Sequence, residues 1–155
     1  MGSRIYNHLE NTNNITHLAC MAHARRKFEH AQENNPTLAG VALKMFQTLY
    51  DIERQARDEN LTTDGIKALR QEKSKPILNE METWMREQII MVPPKSAIGM
   101  AFAYTLNLWP RLIRYIDDGR FHIDNNLIEN SIRPVALGRK NYLFAGSHEA
   151  AQQAA

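Results

Sequence analysis

Apolar residues recur at spacings of three and four along most of the chain, which predicts a series of amphipathic helices. The first predicted helix covers residues 21–31, where Ala24, Phe28 and Ala31 share one face. Asn35 and Pro36 are typical of an N-cap followed by proline in the first turn. The second predicted helix therefore runs from there to about residue 60, and its apolar positions are Leu38, Val41, Ala42, Met45, Leu49 and Ile52.

A third helical stretch begins at residues 62–64 and carries an apolar stripe as far as Ile89. Pro76 lies inside this stripe. Its ring removes a backbone donor and clashes with the preceding turn, so we expect a kink or a split there. The paired prolines at 93–94 end the stretch.

The last long helix of this block is bent by Pro110 and stops at residues 117–119. Its apolar positions are Ile98, Phe102, Leu106, Trp109, Ile113 and Ile116. The block from about 36 to 117 is thus predicted to be an antiparallel helical bundle.

The segments on either side of this block have a different pattern. Residues 14–20 follow a turn signal and favour a short strand, and residues 121–123 favour a short extended segment. A short helix is predicted from Asn126 to Pro134, and the glycine-punctuated residues 136–147 favour a loop or hairpin. We expect the two flanking regions to lie together in space.

Composition adds few restrictions. At 155 residues, 43% of them hydrophobic, the chain is long enough for one domain with a real core. The net charge of +2 does not by itself indicate nucleic-acid binding, which would require local clustering of bases. A single cysteine fits a reducing cytoplasm, and neither a signal peptide nor a membrane span is expected.

The segment 124–133 concentrates acids, amides and a base in a few residues. Asp124, Asn125 and Asn126 precede Glu129, and Arg133 follows that glutamate by four residues. A carboxylate beside bases is the layout of a site that holds a metal ion and a phosphate together. Ordinary structure explains the same residues: a turn at 124–126, a capping box from Asn126 to Glu129, and an exposed ion pair from Glu129 to Arg133. Spacing alone leaves both interpretations open.

Two groups of bases are candidates for contact with nucleic acid. Arg25, Arg26 and Lys27 follow one another on the first helix, where they can contact phosphates or simply form a solvated face. Arg139 and Lys140 lie between glycines and close to aromatic residues, a combination that suits a sugar–phosphate backbone. Cys20 and His23 lack the second ligand pair that a structural zinc site needs, so we expect none.

Taken together, several segments resemble transposases of the insertion sequence 66 (IS66) type. The resemblance covers nearly the whole chain, and the matching segments occur in the same order as in that family. They are residues 20–28, 94–101, 118–120, 123–129, 132–134 and 138–147.

The resemblance implies a DDE transposase with an RNase H-like catalytic core, in which two aspartates and a glutamate hold two Mg²⁺ ions for attack on a DNA phosphodiester. Glu129 is the glutamate, and Asp124, Asn125 and Asn126 support its motif. The fold expected is mainly α, with a helical insertion at about 36–117. Remnants of the α/β core would lie at both ends, in residues 1–35 and 118–155.

The chain departs from the family pattern at a few positions. Met21 and Tyr142 stand where tryptophan is usual, and Asn130 stands where arginine is usual. Gly2 and Tyr6 fit the spacing of the motif that carries the second aspartate, which leaves Met1 at the aspartate position. Nothing in the chain matches the region of the first aspartate.

We therefore expect a fragment of a DNA transposase that is inactive alone and holds no Mg²⁺ by itself, because one carboxylate cannot assemble a two-metal site. Its expected partner is DNA, at the transposon ends, and a homo-oligomer is an open possibility. Two alternatives from other classes are a non-catalytic DNA-binding module and a helical oligomerisation piece.

Overall fold

The computed structural model describes residues 18–124, of which about 77% are helical. Of these, residues 18–123 belong to one compact unit, and Asp124 belongs to another. Residues 18–124 contain no strand, so the prediction of a mainly α protein is confirmed for this part. The elements are α1 (Met21–Ala31), α2 (Pro36–Asp58), α3 (Thr63–Leu69), a π-helical turn (Arg70–Ser74), α4 (Lys75–Ile89), α5 (Ala97–Leu112) and a 3-10 turn (Ile113–Asp117).

Polar side chains cap the starts of α2, α3 and α5. The side chains of Asn35, Thr62 and Ser96 each accept a hydrogen bond from a backbone N–H three residues later, at 3.0, 3.2 and 3.1 Å respectively. These bonds satisfy backbone donors that have no partner inside the helix. After α2 the chain reverses at Asn60, whose φ of 51° is in the left-handed region that asparagine tolerates. The predicted starts of α2 and α3 are confirmed.

Aromatic side chains from four helices meet in the core. The Phe28 ring of α1 lies 5.7 Å from that of Phe46 on α2 and 5.4 Å from that of Phe102 on α5, measured between centroids. Trp84 of α4 makes an edge contact with Phe102 at 5.4 Å. Such tilted pairs add to the free energy gained by burial. α1 is therefore part of the same core as the helices that follow it.

The face that α2 buries differs slightly from the predicted one. Ala42, Leu49 and Ile52 are buried as expected, but Val41 is 39% exposed. Phe46, which the pattern did not single out, is fully buried. The reason is that α2 packs against α1, α3 and α4 along its length, so its partners decide which positions of the broad apolar stripe are covered.

The expected interruption before Pro76 takes the form of a π-helical turn. Lys75 N–H donates to the carbonyl of Arg70, five residues earlier, in place of the usual four. A π turn is a common way to insert one residue into a helix, and such turns are frequent at functional positions. Here the turn carries two buried polar residues, Arg70 and Ser74.

Arg70 is the centre of a buried hydrogen-bond network. Its side chain is 3% exposed and forms a two-pronged pair with Glu53 of α2, with N–O distances of 2.8 and 2.6 Å. Its third nitrogen donates to the carbonyls of Tyr115 and Asp118, at 2.8 and 3.0 Å. The neighbouring Gln71 donates to the carbonyl of Ile116 at 3.0 Å. One side chain thus joins α2, the π-helical turn and the end of the 3-10 turn.

Tyr115 lies beneath the Arg70 guanidinium, whose carbon is 5.1 Å from the ring centroid. Burial raises the pKa of Tyr115 well above its usual range, against the opposing effects of Ser74 and Arg70. The phenol is therefore neutral at physiological pH, and the charges that it faces are those of Arg70 and Glu53.

The segments flanking the helical block lie together, as expected, where the structure describes them. Met21 N–H donates to the carbonyl of Ile123 at 3.1 Å, and Ala19 N–H donates to that of Arg111 at 3.3 Å. The Ile123 side chain is 8% exposed and packs into the main core. Residues 121–123 form bends rather than the extended segment that was predicted, because Ile123 turns inward onto the helices.

Within residues 18–124, no helix is long and apolar enough to cross a bilayer.

Replacing Arg70 tests how strongly the network holds the fold. Arg70→Met should lower the free energy of unfolding by about 3–5 kcal/mol, because it leaves the partly buried Glu53 carboxylate without its two guanidinium donors and removes the donor to the buried carbonyl of Tyr115. The measurement is urea denaturation followed by far-UV circular dichroism. The control is Arg86→Met, which removes an exposed pair with Glu82 and should cost about 0.5 kcal/mol or less. A loss for Arg70→Met no larger than that of the control would contradict the network's role.

Gly119 offers a second test, because a Cβ added there would collide with the backbone oxygen of Thr63 at the start of α3. Gly119→Ala should therefore destabilise the protein by about 1–3 kcal/mol. Gly40→Ala is the matched control: an added methyl at this position in α2 meets nothing within 4 Å, and the change should stabilise by about 0.5–1 kcal/mol. Equal unfolding midpoints for the two variants would rule out the close approach at Gly119.

Candidate nucleic-acid interface

The first helix, α1, is a firmly anchored platform for its basic residues. Its inward face is made of Ala24, Phe28 and Ala31, all fully buried. Its N-terminus is tied to the far end of the helical block by the bond from Met21 to Ile123. The basic side chains therefore project from a helix whose position is fixed by the core on one face and by the backbone at one end.

The three consecutive bases of α1 are separated by the structure into three different environments. Arg25 forms an ion pair with Glu29 at 3.0 Å, with both side chains 40% exposed. The Arg26 side chain is exposed and forms neither an ion pair nor a hydrogen bond with another residue of the described range. Lys27 is exposed and places its ammonium 5.2 Å from the ring centroid of Tyr104 on α5. Arg26 and Lys27 are thus the two bases of the run that are available to an outside partner.

Tyr104 is a neutral aromatic surface at this position. Burial raises the pKa of Tyr104, and the nearby Cys20 adds to the rise. The ring attracts the Lys27 ammonium by cation–π interaction, which is weak where water has access. Lys27 is therefore held close to the protein surface without being neutralised by an acid.

Residues 118–120 form a self-contained loop beside the Arg70 network. The Asp118 carboxylate accepts hydrogen bonds from the backbone N–H of Arg120 at 2.8 Å and from its guanidinium at 2.6 to 3.1 Å. These bonds lower the pKa of Asp118 to about 2. Both charges of the loop are therefore paired with each other, which makes Asp118 a structural acid here.

The remaining predicted site residues fall at or beyond the edge of the described range. Asp124 is its last residue and is half-buried. The others lie outside the described residues: Asn125, Asn126, Glu129, Arg133, Arg139 and Lys140. Between residues 18 and 124, no three His, Cys, Asp or Glu side chains come close enough together to hold a metal ion.

Sequence reasoning missed one member of the interface, Tyr104. The signal was present but ambiguous: Ala97, Met100, Ala101 and Tyr104 follow the i, i+3, i+4, i+7 pattern of a helix face. These four residues lie on a different face of α5 from Phe102. The sequence does not show whether that face is covered, and only the packing of α5 against α1 shows that its edge remains exposed.

These features define a helical protein that presents exposed bases on one helix beside an aromatic residue of another. A family model described as "Transposase IS66 family" matches residues 3–153. The chain belongs to the IS66 transposase family, which confirms the resemblance inferred from its motifs.

Several curated proteins of Sinorhizobium fredii (strain NBRC 101917 / NGR234) are similar to this chain. Uncharacterized protein y4hP is 36% identical over 154 residues, which cover 91% of this chain and 28% of that protein. Uncharacterized protein y4qI is 37% identical over 130 residues, covering 83% and 24% respectively. The chain thus spans about a quarter of the length of these relatives. No solved structure matches it.

Proposed function

We propose that this chain acts in DNA transposition as part of a DDE-type transposase, whose chemistry is metal-dependent phosphoryl transfer on DNA. The observation that carries the proposal is the family match over residues 3–153. The exposed bases of α1 support it, because phosphate contacts are made by arginine and lysine side chains on well-positioned helices. On this proposal the helical block is an insertion, and the flanking segments belong to an RNase H-like core.

Glu129 is the proposed metal ligand of this chain, with Asp124, Asn125 and Asn126 supporting its motif. Mg²⁺ suits such a site because it prefers carboxylate oxygens and water as ligands. The two aspartates that the family resemblance requires have no match in these 155 residues. We therefore propose that the chain by itself neither cleaves nor joins DNA.

On the same proposal, Arg26 and Lys27 contact the DNA backbone, and Arg25 contributes less because it is shared with Glu29. Arg133, Arg139 and Lys140 would add further contacts from the C-terminal region. Backbone contacts of this kind position DNA without reading its sequence. The same residues would serve a non-catalytic DNA-binding module, which is the second candidate function.

A helical oligomerisation piece is the third candidate, and a particular surface favours it. Ile90 and Met91, between α4 and α5, are 80% and 77% exposed. Exposed apolar residues that lie together often mark a contact with another chain. Sedimentation velocity at two protein concentrations separates a self-associating chain from a monomer.

The salt dependence of DNA binding tests the interface. Binding of a labelled duplex should weaken as salt rises, with a slope of about 0.9 in log–log form for each phosphate contacted. Arg26→Ala should reduce this slope by about one contact and weaken binding equally for all sequences. The control is Lys44→Ala, an exposed base on α2. Affinity that does not change with salt, or an Arg26→Ala curve that overlays the Lys44→Ala curve, would remove α1 from the interface.

A nicking and strand-transfer assay with Mg²⁺ or Mn²⁺ tests the proposed inactivity of the isolated chain. We expect no metal-dependent product above background, because a single carboxylate cannot supply the oxygen ligands of two ions. Glu129→Gln serves as the reference variant. Turnover by the natural chain that disappears in Glu129→Gln would show that the chain assembles a working site without further residues.

A further inference from the structure

An open groove runs between α1 and α5, directly beside the exposed bases. Its volume is about 370 Å³, within the range of small-ligand sites in proteins. α1 contributes Lys27 and His30 to its wall. α5 contributes the open face described above, and the complete lining is Lys27, His30, Ala97, Met100, Ala101 and Tyr104.

The two walls of the groove differ in chemistry. The α5 wall is apolar. Its two alanines are too small to fill the groove, Met100 is 56% exposed, and the Tyr104 ring lines the groove. The α1 wall carries a cation and an imidazole, and none of the six lining residues is acidic. Ala97 is the first residue of the 16-residue α5, so the positive end of that helix dipole lies at the Ala97 end of the groove. The groove therefore combines a flat apolar surface with an electropositive rim.

We propose that this groove binds one unpaired nucleotide of DNA, with the base against Tyr104 and Met100 and the phosphate against Lys27 and His30. The inference rests on the proposed function, since it takes DNA as the partner. A nucleotide matches these two walls, because it joins a flat base to an anionic phosphate. Stacking on an aromatic side chain accepts any base, because every base has a π face.

In the free protein, Lys27 occupies the place where a base would stack. Its ammonium lies over the Tyr104 ring, 5.2 Å from the centroid, and covers the surface on which a base would stack. A phosphate is a stronger partner for an ammonium group than an aromatic ring is at an exposed site. An arriving phosphate therefore draws Lys27 from the ring and opens the ring to the base of the same nucleotide.

Charge argues against the other occupants of such a groove. An apolar helix from a partner protein, or from a second copy of this chain, would cover Lys27 and remove water from its ammonium. Burial of an unpaired charge is costly, and nothing apolar on the partner would compensate it. A nucleotide supplies the anion and the apolar plane together.

The test compares a duplex carrying an unpaired nucleotide at one end with a blunt duplex of the same length, by fluorescence anisotropy at one salt concentration. The natural chain should bind the overhang at least about fivefold more tightly than the blunt end. Tyr104→Leu should abolish that preference, and Tyr104→Phe, which keeps the ring, should retain it. Circular dichroism of each variant establishes that it is folded.

Met100→Glu provides an independent test, because Met100 is exposed and its replacement leaves the core intact. An acid in the groove should repel the phosphate and weaken overhang binding about tenfold beyond any effect on the blunt duplex. Val41→Glu is the matched control, since it places the same charge at an exposed apolar position on α2.

The outcomes distinguish this inference from the function on which it rests. If the chain binds duplex with the expected salt dependence but shows no overhang preference, the groove inference is wrong and the proposed function stands. If it binds neither of the two duplexes, both are wrong. If Met100→Glu abolishes self-association and leaves overhang binding unchanged, the groove is an interface between copies of the chain and the nucleotide site is excluded.

Discussion

The buried pair between Arg70 and Glu53 is the constraint around which the described part of the molecule is arranged. A guanidinium remains charged at every physiological pH, so the surrounding protein must supply acceptors for its fixed fork of donors. Glu53 accepts two bonds, and the carbonyls of Tyr115 and Asp118 accept the others. Because these acceptors come from distant parts of the chain, the arginine fixes the end of the 3-10 turn relative to α2. The loop that contains Gly119 is thereby held against the start of α3, where only glycine fits.

Most of the helical framework was predictable because its causes are local. Apolar spacing indicated the helices, and short polar side chains indicated the starts of α2 and α3, since both signals depend on residues within a few positions of one another. The Arg70 network was not predictable, because a charged residue in a helical pattern is ordinarily solvent-facing. Only the three-dimensional arrangement brings Glu53 within reach of it. Phe46 was missed for a related reason: α2 is apolar over a wide stripe, and its neighbours choose which part of that stripe is buried.

In the candidate site too, the sequence gives the identity of each residue but not its surroundings. A run of bases on a helix is visible in the sequence, but neighbouring helical residues point about 100° apart, so their surroundings can differ. The structure therefore gives Arg25, Arg26 and Lys27 different surroundings: an acid, solvent and an aromatic ring. The pair of Arg25 with Glu29 follows from their i,i+4 spacing, but the surroundings of Arg26 and Lys27 do not follow from the local sequence. Tyr104 in particular is 77 residues from Lys27 along the chain and meets it only because α1 packs on α5.

The strength of the proposed interface follows from the small number of available bases. Within the described residues, the two phosphate contacts proposed for Arg26 and Lys27 correspond to a log–log salt slope of only about 1.8, far less than for proteins that hold DNA by about six to ten contacts. With a net charge of +2, the chain has little long-range attraction to add. An interface with so few contacts orients DNA but binds it weakly. It is nevertheless presented on a helix already fixed by Phe28 and by the Met21–Ile123 bond, so no ordering of the backbone opposes binding. Because α1 is rigid and carries few charges, its affinity for DNA gains most from a contact that does not depend on salt. Stacking on an aromatic ring is such a contact.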